Sequence, residues 1–186
     1  MPTVAGSAKR KDRKLKKEPW NNSDKEGFLA QARAELKRKL GELAVPMEKY
    51  KLTQDNFEKL FPNGRVATPL GKVKLGENQF AKLKARNRED LLGATFQTLS
   101  DPVVVLSSDR DGRKARMYVR SFKKEASISV VVSVVVDQFD GTKPIKVSIS
   151  THRKDVSNVL GKIKSPDDIV YIKPNTKGAA PPRNES

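Results

Sequence analysis

The stretch Ser127-Ile-Ser-Val-Val-Val-Ser-Val-Val-Val-Asp137 decides the fold. Six of its eleven residues are valine. β-Branched side chains are stiff at χ1 and pack well on a pleated surface. Successive strand residues point to opposite faces, and here both faces are apolar. The segment therefore reads as a strand buried on two sides, the centre of a sheet. Ser129 and Ser133 punctuate its less apolar face.

Working outward, Arg113–Phe122 alternates. Arg116, Tyr118, Arg120 and Phe122 share one face, and Ala115, Met117, Val119 and Ser121 share the other. On the far side, Asp140-Gly141 makes a hairpin turn and Ile145–Thr151 returns as a strand. Ile145, Val147 and Ile149 face one way, and Lys146, Ser148, Ser150 and His152 face the other. Another strand is expected at Pro102–Leu106, after a loop. Consecutive strands with hairpin-length links imply an antiparallel meander. The fold class is α+β, a roughly four-stranded antiparallel sheet with helices on one face.

The flanks complete the plan. Lys72–Leu75 reads as a short strand leading to a helix that ends near Asn87, with Gln79, Lys82 and Arg86 on one side. A helix over about 153–162 presents Val156, Val159 and Leu160 inward, and Ile169–Ile172 is an edge strand. Earlier, four- and seven-residue spacings predict an amphipathic helix over about 25–44 and a short one over 54–60, capped by Thr53. Four parts result: a disordered basic tail (1–25), a helical extension with a flexible stretch at Pro62–Gly71 (26–70), the main α+β domain (71–173) and a flexible C-terminal tail (174–186).

Composition narrows the function. The chain holds 38 Lys and Arg against 22 Asp and Glu, a formal net charge of +16, and a single histidine, His152. Clustered cations neutralise phosphates and release counterions, so a nucleic-acid partner is expected. The tail, with Lys9, Arg10 and Lys11 among its cations, reads as a nucleic-acid arm. No cysteine is present, which removes disulfides and thiolate sites. With one histidine as well, an ordinary zinc site is excluded. Asp109-Arg-Asp-Gly112 imitates the start of a calcium loop, but Arg113 and Lys114 oppose a cation, so it reads as a turn. No cofactor or metal is expected. Without a long apolar run, the protein is expected to be soluble and intracellular.

The candidate site combines the two polar stripes. If they open on one sheet face, Arg116, Tyr118 and Arg120 sit across from Ser148, Ser150 and His152, with Ser129 and Ser133 between them. Cations would hold phosphates and aromatic rings would stack on bases, an arrangement suited to RNA. Metal-free RNA cleavage makes the 2′-hydroxyl the nucleophile and needs a base of near-neutral pKa plus cations around the phosphorane. His152 is the expected proton-transfer group, with Tyr118 second. Ser150, Lys82, Arg86 and Arg120 complete the catalytic set. Arg116, Arg120, Phe122, Lys146 and Arg153 are expected to contact nucleic acid. The alternatives are a non-catalytic DNA- or RNA-associated binding protein and an assembly protein whose first amphipathic helix docks on a partner.

Three segments carry a family resemblance. Gly71-Lys-Val-Lys-Leu-Gly-Glu-Asn-Gln-Phe-Ala-Lys-Leu83 resembles the opening of phage-borne nuclease-like domains grouped with barnase, EndoU, colicin RNases and RelE. Thr98-Leu-Ser-Asp-Pro-Val103 is similar to their lead into the first sheet strand. Ser148-Ile-Ser-Thr-His-Arg153 resembles the segment where that group often places a site residue. The resemblance spans about 71–173. It implies a helix packed on a four-stranded antiparallel sheet, RNA across the open face, and metal-independent endoribonuclease activity of phage, mobile-element or toxin type. Relatives often carry a histidine on the first helix, where this chain has Gln79, Lys82 and Arg86; RelE-type members cleave with Lys, Arg and Tyr. The expected partners are RNA and an immunity or antitoxin protein or a phage structural component, with no membrane.

Overall fold

The computed structural model describes residues 22–75, 78–85, 88–109 and 112–174. The chain divides into two units, Met1–Glu35 and Leu36–Ser186. Helix α1 (Asn22–Glu42) begins in the first and ends in the second. The rest of the description concerns the second unit.

That unit is an α+β fold built on one seven-stranded mixed sheet. Its strands are β1 (Arg65–Thr68), β2 (Gly71–Leu75), β3 (Val104–Ser107), β4 (Ala115–Lys124), β5 (Ser127–Asp140), β6 (Lys143–Lys154) and β7 (Ile169–Ile172). The spatial order is β1-β2-β6-β5-β4-β3-β7. Neighbours are antiparallel except β2 and β6, which run parallel. The valine-rich β5 is the central strand of the seven, and Val130 to Val136 are buried along both faces together with Ser133.

Three differences from the sequence reading matter. The sheet has seven strands, not four, because the short strands expected at β2 and β7 join it and β1, which was not expected, is added at one edge. The stretch Pro62–Gly71, expected as a flexible link, contains β1 paired with β2 across a tight turn. There Thr68 Oγ1 accepts from Leu70 N at 3.1 Å, and Gly71 holds a φ of 113° that a side chain would resist. Finally, residues 92–100, read as loop, form helix α4 (Leu92–Ser100).

Helix α4 was hidden by its own burial. Leu92, Gly93, Ala94, Thr95, Thr98 and Leu99 are all buried, so the helix shows no polar face to mark a 3.6-residue period. Leu91, Leu92, Ala94 and Leu99 pack into one core with Val73, Leu75, Val105, Tyr118, Phe122, Val131 and Val135. This face of β4 and β5 is thus covered. The short helices α2 (Gln54–Leu60), α3 (Gln79–Ala85) and α5 (Val156–Leu160) complete the fold. Thr53 caps α2 by accepting from Asn56 N at 3.1 Å.

The segment before α2 is strapped onto α4. Gln97 accepts from Glu48 N through Oε1 and donates from Nε2 to the Pro46 carbonyl, both at 3.0 Å. The strap lies so close that a Cβ on Gly93 would sit 2.1 Å from Glu48 O. Gly93→Ala is therefore expected to lower stability by about 2–3 kcal/mol through overpacking, measured as a reduced urea midpoint. An unchanged midpoint would show that the strap is not held against the helix.

Candidate nucleic-acid interface

Strand register determines where the sequence-selected side chains point. Tyr118 pairs with Ser133 and Ser133 with Thr151, giving one row across three strands. The next row is Val119, Val132 and His152. Adjacent residues on a strand face opposite ways. Tyr118 and His152 therefore lie on opposite faces of the sheet. The shared open surface expected for the arginine–tyrosine row and the imidazole is not formed.

The row is interior. Tyr118 is 1% exposed, and its hydroxyl lies 3.1 Å from Thr68 Oγ1. Burial raises its pKa above the usual 10.0, opposed by the Thr68 hydrogen bond and the Arg116 charge. The phenol is thus protonated at neutral pH and shielded from a substrate. The Arg120 side chain is 3% exposed. Its guanidinium donates to the Asp101 carbonyl at 2.8 Å and the Leu43 carbonyl at 2.9 Å, and lies 3.5 Å from the Asp101 carboxylate. Burial lowers its pKa, and the Asp101 charge opposes that shift. Phe122 is fully buried in the same core. Arg116, half-buried, faces Asp109 at 3.8 Å. These four residues tie the loops around β4 to the sheet.

On β6 the alternation is broken. The register slips between Val134 and Val135, so Ser150 pairs with Val134 while Ser148 pairs with Val135. One inserted residue sends the two serines to opposite faces. Ser148 is buried, and Ser150 stays half-buried on the His152 side. Ser133 is buried too, 2.8 Å from Thr151 Oγ1, which also accepts from Gln79 Nε2 at 3.1 Å. Lys82 and Arg88 donate to the carbonyls of Ile149 and Thr151, both at 3.0 Å. The pair thus satisfies backbone acceptors along β6. Arg153 is paired with Asp90 at 2.5 Å and Lys146 with Asp137 at 3.8 Å. Arg86, Lys9, Arg10 and Lys11 lie outside the described residues.

A different cation surface emerges. A cleft of about 680 Å³ lies where β5 begins, β6 ends and α5 starts; Lys124, Ser127, Ser129, His152, Arg153 and Lys154 line it. Asp155 and Asn158 are also on its wall. A second depression shares Lys154 and Asn158 and adds Lys162 and Lys164. Among the described residues, Lys124, Lys154, Lys162 and Lys164 have no carboxylate within ion-pair distance. The first 21 residues carry seven of the Lys and Arg and two of the acids, so the remaining 31 and 20 leave +11 beyond the tail. Sequence reasoning missed Lys124, Lys154, Lys162 and Lys164 because they come from three separate places in the chain: the end of β4, the end of β6 and the segment after α5. Only the β4–β5–β6 register and the α5 turn assemble them.

Comparison with known proteins yields no matching family model, no matching curated protein and no matching solved structure. Among the described residues, no group of His, Asp and Glu is placed to hold a metal, and no helix is long and apolar enough to cross a membrane.

The interior position of Arg120 separates a structural from a ligand-binding role. Arg120→Ala removes a buried guanidinium that serves two part-buried carbonyls and is expected to cost about 2–4 kcal/mol of stability. At temperatures where the variant stays folded, oligonucleotide affinity is expected to be unchanged. Undiminished stability together with abolished affinity would restore Arg120 to the binding surface.

Proposed function

We propose that this protein binds nucleic acid through the lysine surface at the β5–β6–α5 corner, without cutting it. The observation that carries the reading is the run Lys124, Lys154, Lys162 and Lys164, cations without acidic partners beside a cleft. Phosphates would release counterions on docking there, which makes the affinity steeply salt-dependent. The basic tail adds sequence-independent charge to the same attraction.

The test is anisotropy of a labelled RNA strand across a salt series. Exchanging Lys154, Lys162 and Lys164 for Glu is expected to weaken binding more than tenfold at moderate salt. The salt slope falls by ~0.7 for every phosphate of a single strand that is no longer neutralised. Deleting residues 1–25 is expected to weaken binding further in either background. Wild-type affinity in the triple variant would overturn the reading.

One observation favours a second reading, the ribonuclease of barnase or RelE type. His152 and Lys154, two residues apart on one face of β6, line a cleft whose wall also includes Ser127 and Ser129. The two readings part in a cleavage assay with RNA and EDTA. The binding reading expects intact RNA from wild type and His152→Ala alike. Cleavage that falls ~10²–10⁴-fold in His152→Ala would instead establish acid–base catalysis in this cleft.

A further inference from the structure

The tip of the long β5–β6 hairpin carries Phe139, which is 73% exposed. Among the described residues, the other exposed large apolar side chain is Ile172, at 39%. A depression of about 510 Å³, large enough for a nucleotide, is lined by Phe139 and by Arg65, Lys72, Lys74, Lys143 and Lys146. Five cations from β1, β2 and β6 thus line the same depression as one aromatic ring. The acid in the lining is Asp137, whose carboxylate is 3.8 Å from Lys146 Nζ. Asp140, at the hairpin turn, sits opposite Lys143 in the register.

We infer that this hairpin tip is a single-strand subsite, in which an unpaired base stacks on Phe139 while the lysines and Arg65 hold its flanking phosphates. The inference rests on the nucleic-acid reading above and adds the substrate class. A π-face accepts any unpaired base, whereas a paired base inside a duplex offers no face to stack on. Cations alone would suit any polyanion; an exposed ring among them selects a strand whose bases are open. Charge complementarity also disfavours a second copy of this chain, which would bring the same five cations to the interface.

The site lies on β1, β2, the turn end of β5 and the start of β6. Lys124, Lys154 and α5 lie toward the other ends of β5 and β6. A strand held at both places would run along the hairpin.

The experiment compares wild type, Phe139→Ala and Phe139→Trp for binding a short oligo(U) strand and an RNA duplex of equal length, at one salt concentration. Phe139→Ala is expected to bind the single strand about tenfold more weakly and to leave duplex affinity unchanged. Phe139→Trp is expected to restore single-strand binding. Because Phe139 is exposed, melting temperatures of the three proteins are expected to coincide. Equal oligo(U) affinity for wild type and Phe139→Ala overturns the subsite while leaving the lysine surface standing. Failure of wild type to bind either probe overturns the nucleic-acid reading itself. A dimer that dissociates in Phe139→Ala, with oligo(U) affinity unchanged, would assign the tip to self-association and likewise refute the subsite.

Discussion

The register between β4, β5 and β6 is the constraint from which the rest of the surface follows. Tyr118, Ser133 and Thr151 occupy one row, and Val119, Val132 and His152 the next. A strand has a side-chain period of two, so a one-residue slip would move every side chain to the opposite face. Here six valines of β5 are buried along both faces, and burying each contributes about 1.5–3 kcal/mol. The register also puts the tyrosine and the imidazole on opposite sides. No local adjustment can bring them together while the sheet persists.

Helix α4 then turns an apparent binding row into a structural one. It covers the Tyr118 face, where the polar ends of Arg120 and Tyr118 are engaged. The Arg120 guanidinium meets Asp101 and Leu43, and the Tyr118 hydroxyl meets Thr68. Ser121, on the opposite face of β4, donates to the Leu40 carbonyl at 2.5 Å. Alternating arginine and aromatic residues suit two settings: a surface that grips phosphates, and an interior that must satisfy loop carbonyls. Arginine serves the second with five donors on a planar fork that reaches several carbonyls at once. Two groups of cations left for a partner lie toward the two ends of the β5–β6 hairpin.

Much of the fold was legible. The valine run named the central strand, Arg113–Phe122 and Ile145–Thr151 named its two neighbours, and Ile169–Ile172 was placed at the edge where β7 lies. Those segments carry strong period-two or β-branched signals. Helix α4 did not, because Leu92-Gly-Ala-Thr is buried nearly all round and lacks polar punctuation. The β6 bulge was equally silent, since one extra residue leaves no compositional mark and yet sends Ser148 inward. Of the expected site, His152 does line a cleft, but its neighbours there are Lys124 and Lys154. Phe139 escaped notice because its exposure depends on how far the hairpin projects.

Ultraviolet cross-linking of a bound single-stranded RNA, followed by mapping of the modified peptides, tests the central claim most directly. If nucleic acid meets the hairpin ends and not the arginine–tyrosine face, adducts fall on Phe139 and on peptides bearing Lys154 to Lys164. Adducts on Tyr118 or Phe122, residues enclosed beneath α4, would contradict the account.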